Sequence, residues 1–271
     1  MTDTTRALSF GEIADSYNRY RPGVPAAAME WLLPDGGDTV VDLAAGTGAL
    51  TRTLVGSGRV ERVVAVEPDE RMRELFTRNC PGVQVLPGTA ESMPLPEGSA
   101  DGLLIAMAWH WVDPERAVPE IARVLRPGGT FGVLWNHRDL SVPWVADLDR
   151  FTRTARARES GRGGVVQAAR SDVVDPQAGF SFSPFQEHHT TWSMTVTAEE
   201  LVGHLGTDAS AIALASEARR TVDGQVAAYL RDELGLTGDR TIELPMDCRC
   251  LRATRRASSV IGRPVTRADL R

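Results

Sequence analysis

The stretch TVVDLAAGTGALTRTLVGSG, residues 39–58, constrains the fold of this chain more than any other segment. It joins a β-branched apolar run at 39–43 to a glycine-bearing turn and then to a helix-forming segment. The same order of strand, turn and helix recurs in RVVAVEPDERMRELFTRN, where we expect a strand at 62–66 and a helix from Asp69. Strands that alternate with helices and are continuously apolar are typical of a parallel sheet covered on both faces.

Three more apolar runs continue the pattern, and they are VQVLPG, ADGLLIAMA (ending near Ala108) and TFGVLW. Between the last two, PERAVPEIARVLRPGG has the spacing of an amphipathic helix that stops at Pro127-Gly128-Gly129. The prediction is an α/β fold with a doubly wound, Rossmann-like, mostly parallel sheet. Ligands of such sheets bind beyond the carboxyl ends of the strands.

The alternation is lost after the fifth predicted strand, so we expect an inserted substrate cap at 138–205. FQEHHTTWSMTV and IELPMDCRCLRAT read as two closing strands, with helices expected at 198–205 and 208–231. The predicted units are a cofactor-binding core with an N-terminal lid helix (1–137), the cap (138–205), closing helices and strands (206–253) and a flexible basic tail (254–271).

Composition excludes several classes of function. The net charge of −6 gives no general basis for nucleic-acid binding, and no lysine occurs, which excludes Schiff-base and P-loop lysines. The three cysteines have neither the number nor the spacing of a disulfide framework or a zinc site, so we expect reduced thiols and no metal. We see no signal peptide, and the apolar run at 102–112 is too short to span a bilayer, so a cytoplasmic protein without membrane association is expected.

The turn after the first strand carries the strongest functional signal. Gly46 and Gly48 allow the backbone to approach a ligand, and the helix that follows offers amides to a carboxylate or phosphate. Glu67 follows Gly46 at the usual offset for an acid that accepts hydrogen bonds from a ribose diol. Dinucleotides and S-adenosylmethionine both fit this geometry.

The local residues favour S-adenosylmethionine. A dinucleotide turn requires a small residue where Thr51 stands, and Asp42 would repel a pyrophosphate. The same carboxylate would attract the ammonium and sulfonium charges of S-adenosylmethionine.

At this point the chain resembles the class I S-adenosylmethionine-dependent methyltransferases over roughly residues 10–136. The segments YNRYRPGVP, VVDLAAGTG, VVAVEPDERM, GTAESMPLPEGSAD and AWHWVD follow in the order of the small-molecule branch, which includes ubiquinone/menaquinone-type and trans-aconitate-type methyltransferases. TTWSMTVTAEELVGHLGT resembles the substrate-side segment of that branch more weakly. Ala44 departs from the family, in which many members have the first glycine of the turn, and we expect it only to tighten the turn.

The resemblance implies a role for each matching position. The methionine moiety would be held by the turn, at Asp42, Gly46 and Gly48 with Ala44 beside them, and the ribose by Glu67. The adenine would be contacted by Pro68, Ala90 and Glu91, and the sulfonium would lie beside Ala106. Tyr17 and Arg21 share one face of the first helix and could close over the cofactor, with Arg21 facing the methionine carboxylate. Ordinary helix packing is the alternative for that pair.

The segment WHW follows the fourth strand, at the mouth of the crevice. Trp109 and Trp111 are suited to walling a substrate pocket, and His110 could accept a proton from an attacking nucleophile. His137, at the end of the fifth strand, is a second substrate-side candidate. The alternative is that the tryptophans are core residues and His110 only bonds to the backbone.

The sequence therefore predicts a methyltransferase of a small-molecule acceptor, most readily an oxygen of a hydroxyl or carboxylate in a metabolite or natural product. N- and C-methylation stay open, as do a non-catalytic S-adenosylmethionine-binding protein and a nicotinamide-dependent oxidoreductase. Arg138 and Arg153 could receive an anionic acceptor. The oligomeric state, monomer or homodimer, is left open.

Overall fold

The computed structural model describes residues 19–20, 23–33, 38–160 and 181–257. Its centre is a seven-stranded sheet with the order β3-β2-β1-β4-β5-β7-β6. The strands are β1 (Thr39–Leu43), β2 (Arg62–Val66), β3 (Gln84–Leu86), β4 (Ala100–Ala106), β5 (Leu125–Arg138), β6 (Gln186–Thr197) and β7 (Thr241–Thr254).

The pairing of the strands confirms the doubly wound sheet. β1 lies between β2 and β4, and β4 pairs with β5, all in parallel. β7 runs antiparallel to β5 along its length, and β6 runs antiparallel to β7. The two closing strands predicted from the sequence therefore occupy the edge of the sheet, with the antiparallel member beside β5.

Helices cover both faces of the parallel half. The helices are α1 (Ala26–Leu32), α2 (Ala49–Gly56), α3 (Glu70–Asn79), α4 (Pro114–Val124), α5 (Pro143–Glu159), α6 (Ala198–Gly206), α7 (Ala209–Ile212) and α8 (Ser216–Leu234). Leu32 of α1 and Leu54 of α2 pack with Leu104 on one face. Ile121 of α4 packs with Leu103 and Trp109 on the other. Among the described residues no helix is long and apolar enough to cross a membrane.

A third apolar cluster joins α5, α6 and α8 to the C-terminal part of β6 and the N-terminal part of β7. We call these three helices, together with α7, the cap helices. Leu148 of α5, Leu201 of α6 and Val226 of α8 are buried together there. Of the predicted cap 138–205, the stretch expected as a closing strand is β6 of the sheet, and α8, expected among the closing elements, packs on α5. The apolar face of α8 is buried against α5 and α6, which explains why this helix packs with the cap helices.

Three boundaries also differ from those expected. β4 ends at Ala106, and a short 3₁₀ turn follows at Trp109–Trp111. β5 begins at Leu125, directly after α4, because Leu125 pairs with Ala100 before the glycines. The helix expected at 208–231 is divided into α7 and α8, since the intervening Ala215 is extended with ψ of 150°. Residues 258–271 of the predicted tail lie outside the described residues.

Candidate active site

The two glycines of the turn between β1 and α2 have different structural roles. Gly46 and Gly48 both have positive φ, at 55° and 90°. A methyl group at Gly48 would lie 2.5 Å from the Cys80 sulfur and 3.1 Å from the Phe76 ring, whereas one at Gly46 would meet no atom within 4 Å. Gly48 therefore allows the turn to pack on α3, and Gly46 leaves an open surface that a ligand can approach.

Ala44 adopts the left-handed conformation, with φ of 57°. A residue with a Cβ is disfavoured in this region, which glycine occupies without strain. Ala44 therefore has a backbone conformation that glycine would adopt without strain, which agrees with the expectation that Ala44 belongs to the tight turn.

Asp42 lies at the carboxyl end of β1 and is 1% exposed. The Thr51 hydroxyl donates to its Oδ2 at 2.6 Å. Its Oδ1 has no hydrogen-bond partner in the described part of the chain. Burial raises the pKa of this carboxyl to about 7, although the bond from Thr51 acts in the opposite direction. The site thus contains a buried acid that an added cation would stabilise in its ionised form.

Sequence reasoning missed the role of Thr51, which it used only as an argument against a dinucleotide. The signal was present, because Asp42 ends a strand and Thr51 stands in the first turn of the helix that follows. No side chain among the described residues caps the first turn of α2, whose N-cap is Gly48. Its first amides therefore face the same turn as Asp42 and can donate to a carboxylate.

Glu67 is held against the turn by two backbone amides. Gly46 donates to its Oε2 at 2.9 Å, and Asp69 donates to its Oε1 at 2.9 Å. Burial raises the pKa of Glu67, and these two bonds oppose the shift. Each carboxylate oxygen keeps a further lone pair, so Glu67 can accept from two neighbouring hydroxyls such as those of a ribose.

The residues expected around adenine follow β2 and β3. Pro68 is exposed, and Arg73 donates to its carbonyl at 2.7 Å. Ala90 is buried. Glu91 accepts from the amide of Asp113 at 3.0 Å, which links this loop to the start of α4. Their contacts with an adenine stay a prediction.

The end of β4 carries a second left-handed residue. Met107, next to Ala106, has φ of 57°, and the Asn136 amide lies 2.9 Å from its sulfur. The Asn136 side chain donates to the Gly23 carbonyl at 2.9 Å and accepts from the Trp192 indole at 3.3 Å. Asn136 thereby links Met107, the neighbour of the predicted cofactor-binding Ala106, to Gly23 and to Trp192 of β6. The sequence did not reveal this role.

The two tryptophans of WHW occupy different environments. Trp109 is 1% exposed and packs edge-to-face on Phe131, with ring centroids 5.5 Å apart. It fills the core, so its predicted contact with a substrate is not supported by its position. His110 and Trp111 are half-buried, with ring centroids 4.7 Å apart, and their roles stay predictions.

On the substrate side, His137 is half-buried at the end of β5 and stands opposite Asp247 of β7. Arg138 is mostly buried and does not match its expected role as a receptor of an anion, whereas for the exposed Arg153 that role stays a prediction. Arg138 lies 3.2 Å from both Asp149 and Asp208, and Arg153 lies 2.6 Å from Asp149. These guanidinium groups are already paired with carboxylates.

Tyr17 and Arg21 lie outside the described residues, so their contacts stay a prediction. Their neighbour Tyr20 is described, and its ring lies against Gly203 of α6.

Comparison with known proteins agrees with this geometry. Residues 41–133 match the family model described as a methyltransferase domain. An uncharacterized methyltransferase of Mycobacterium tuberculosis is 38% identical over 92% of this chain and 96% of its own length. A solved structure from Anaeromyxobacter dehalogenans, named as a type II methyltransferase, has a TM-score of 0.58 at 26% identity and covers 87% of this chain and 98% of that chain. A malonyl-[acyl-carrier protein] O-methyltransferase of Methylococcus capsulatus is 35% identical over 42% of this chain and 44% of its own length.

The residues of the turn also fit S-adenosylmethionine chemically. Asp42 offers a buried oxygen to an ammonium group, Gly46 leaves an open surface, and Glu67 can accept from a ribose. The similarity to the mycobacterial relative extends over nine-tenths of the chain, and the sheet has the strand order of this fold. The chain therefore belongs to the class I S-adenosylmethionine-dependent methyltransferases.

Proposed function

We propose that this methyltransferase transfers a methyl group to the oxygen of a small molecule, and that a hydroxyl is the acceptor. The observation that carries this proposal is the distribution of charge beyond β4 and β5. Arg138 is mostly buried and paired with Asp149 and Asp208, so it does not offer a site for an acidic acceptor, whereas His110 follows β4 and His137 lies near the end of β5.

The cofactor is bound by the turn and the ends of β2, β3 and β4. Asp42 accepts from the methionine ammonium, Gly46 and Gly48 with the first amides of α2 hold the methionine moiety, and Glu67 accepts from the ribose. Pro68, Ala90 and Glu91 surround the adenine, and Ala106 lies beside the sulfonium. Bound there, S-adenosylmethionine supplies a methyl group on a positively charged sulfur.

The remaining chemistry belongs to the acceptor side. A hydroxyl oxygen that accepts a methyl group must lose its proton, and a half-buried imidazole can take it at neutral pH. His110 has this role, Trp111 forms part of the wall that excludes water, and His137 contacts the acceptor. This assignment agrees with the resemblance to the small-molecule branch of the family.

The second candidate acceptor is a carboxylate. The relative from Methylococcus capsulatus is named as an O-methyltransferase of malonyl-[acyl-carrier protein], and the oxygen that a malonyl group offers is a carboxylate, which supports this second candidate. A carboxylate is ionised at neutral pH and needs no base, so it would leave His110 without a proton to accept.

Acceptor screening with located products tests the proposal. The purified protein is incubated with S-adenosylmethionine and matched pairs of compounds that carry either one phenol or alcohol group or one carboxyl group. S-adenosylhomocysteine is quantified, and mass spectrometry locates the added methyl. We expect methyl ethers from the hydroxyl compounds. Methyl esters alone would favour the carboxylate candidate, and methylated amines or carbons would overturn an oxygen acceptor.

A further inference from the structure

The Glu67 carboxylate is held by one peptide group on each side. The amide of Gly46 donates to its Oε2 and the amide of Asp69 donates to its Oε1, both at 2.9 Å. Glu67 is buried, so these two amides, rather than water, determine the plane in which the carboxylate lies. The direction of its remaining lone pairs therefore depends on what fixes the two peptides.

The peptide on the side of Gly46 is fixed by the backbone of the glycine turn. A trans peptide is planar, so its carbonyl and its N–H point in opposite directions. The Ala45 carbonyl accepts from the amide of Gly48 at 2.9 Å, and the N–H of the same peptide, at Gly46, points toward Glu67. This side of the carboxylate is therefore held by a contact between backbone groups.

The peptide on the side of Asp69 is fixed by a side chain. Nη1 of Arg73 donates to the carbonyl of Pro68 at 2.7 Å and to the carbonyl of Glu67 at 2.9 Å. This nitrogen has two hydrogens, one for each acceptor. With the Pro68 carbonyl held in this way, planarity directs the N–H of the same peptide, at Asp69, toward the Glu67 carboxylate. Arg73 therefore acts on Glu67 through the Pro68–Asp69 peptide.

The charge of Arg73 favours the same arrangement. Burial raises the pKa of Glu67, and the amides of Asp69 and Gly46 and the positive charge of Arg73 oppose that shift. The Asp69 carboxylate raises the pKa further, although it is itself paired with Arg71 at 2.8 Å. An ionised carboxylate accepts hydrogen bonds at both oxygens, and such bonds are stronger than those to a neutral group. Arg73 thus favours the form of Glu67 that accepts from a diol.

We propose that Arg73 is a positioning residue for the ribose of the cofactor, and that it acts by fixing the Pro68–Asp69 peptide that orients the Glu67 carboxylate. The proposal rests on the proposed role of Glu67 toward the ribose. Arg73 acts without touching the ligand. Its effect is specific to the diol, because the ribose hydroxyls are the ligand groups that bond to Glu67.

Two arginines near the start of α3 provide a matched test. Arg73→Met removes the guanidinium and keeps an unbranched side chain with good helix propensity. Arg71→Met makes the same change at a guanidinium that pairs with the Asp69 carboxylate. Arg73→Lys keeps a positively charged donor at the position. Calorimetric titration of each variant measures the affinity for S-adenosylhomocysteine and for its 2′-deoxy and 3′-deoxy forms.

We expect the wild-type protein to bind S-adenosylhomocysteine about ten-fold more tightly than a deoxy form that lacks a hydroxyl bonded to Glu67. Arg73→Met should bind S-adenosylhomocysteine about ten-fold more weakly than the wild type and should lose most of this preference for the hydroxyl. Arg71→Met should keep both the affinity and the preference within about two-fold of the wild type. Arg73→Lys should recover part of both.

Hydrogen exchange of the Asp69 amide, followed by NMR, tests the same contact without a ligand. This amide bonds to Glu67 while the Pro68–Asp69 peptide keeps its orientation, so Arg73→Met should accelerate its exchange by about ten-fold. The amide of Gly46 should respond less, because the carbonyl of its peptide is held by Gly48.

Wild-type exchange at Asp69 together with wild-type affinity in Arg73→Met would overturn the proposal. Equal weakening of S-adenosylhomocysteine and both deoxy forms would also overturn it, because Arg73 would then act on the whole ligand rather than on the diol. If the wild-type protein binds all three ligands equally, the contact of Glu67 with the ribose fails, and the role of Arg73 in cofactor binding fails with it. If the wild-type protein binds none of them, the proposed function itself fails, and the exchange rate at Asp69 still decides whether Arg73 fixes the peptide.

Discussion

The Thr51 hydroxyl donates a 2.6 Å hydrogen bond to the Asp42 carboxylate, and both side chains are buried. The bond joins the end of β1 to the first turn of α2, on either side of the glycine turn. It lowers the pKa of an acid that burial raises to about 7. Thr51 therefore lowers the pH at which the buried Asp42 becomes an anion.

Cofactor affinity should depend on pH through Asp42. The ammonium group of S-adenosylmethionine favours the ionised carboxylate, so affinity should rise between about pH 6 and pH 7.5 with release of a proton. Calorimetric titration in buffers of different ionisation enthalpy measures that proton. Thr51→Val should move the midpoint upward, whereas Thr53→Val, whose hydroxyl bonds within α2 to Ala49, should not. A pH-independent affinity would contradict this prediction.

Asp42→Asn should stabilise the fold at high pH and abolish cofactor binding. Because burial raises the folded-state pKa from 3.8 to about 7, the stability associated with this group is full below pH 4 and is lost as the pH rises through 7. A shift of about three pKa units corresponds to about 4 kcal/mol. Urea unfolding at pH 5 and pH 8 should show a gain over wild type that grows with pH, and an equal effect at both values would refute it.

Gly46→Ala and Gly48→Ala should affect different properties. At Gly48, left-handed strain and the contact with Cys80 together should lower the free energy of unfolding by about 2–5 kcal/mol. At Gly46 the methyl meets no protein atom, so the strain alone should cost about 1–2 kcal/mol while cofactor affinity falls much further. Urea unfolding and calorimetric titration of both variants separate the effects, and equal losses of stability would argue against this assignment.

Ala44→Gly should stabilise the protein by up to about 1 kcal/mol, because it removes the strain of a left-handed alanine. Ala45→Gly is the control, since Ala45 does not have positive φ and the change should destabilise by about 0.5–1 kcal/mol. Chemical denaturation of the two variants gives opposite signs if this interpretation is right.

His110→Ala should leave cofactor affinity within a few-fold and reduce turnover of a hydroxyl acceptor roughly 10²-fold. The pH dependence of turnover should lose the limb that reports a histidine base. His137→Ala provides the comparison at the end of the neighbouring strand. Unchanged turnover in His110→Ala would favour a carboxylate acceptor or a base elsewhere.

The parallel half of the sheet could be predicted because its information is local. Apolar runs, turn glycines and the Gly46–Glu67 offset each lie within one β-α-β unit, and the structure joins Gly46 to Glu67 directly. The closing strand predicted at IELPMDCRCLRAT is likewise present as β7, and the structure shows that it runs antiparallel to β5.

The contacts between residues far apart in the sequence could not be predicted in the same way. Tyr20 meets Gly203 and Arg138 meets Asp208 across long stretches of chain, and periodicity within a helix does not encode its partner. The burial of Trp109 was left as an alternative, because the end of a strand can place an aromatic ring in the core or in the crevice. Residue type alone does not distinguish these two positions.

The position of β7 beside β5 also has a consequence during synthesis. The strand that covers the edge of β5 ends at Thr254, whereas β5 itself ends at Arg138. At about 5–20 residues per second, the ribosome needs on the order of ten seconds to deliver it. For that interval the cofactor half is complete, yet its fifth strand has an open edge that can pair with another nascent chain.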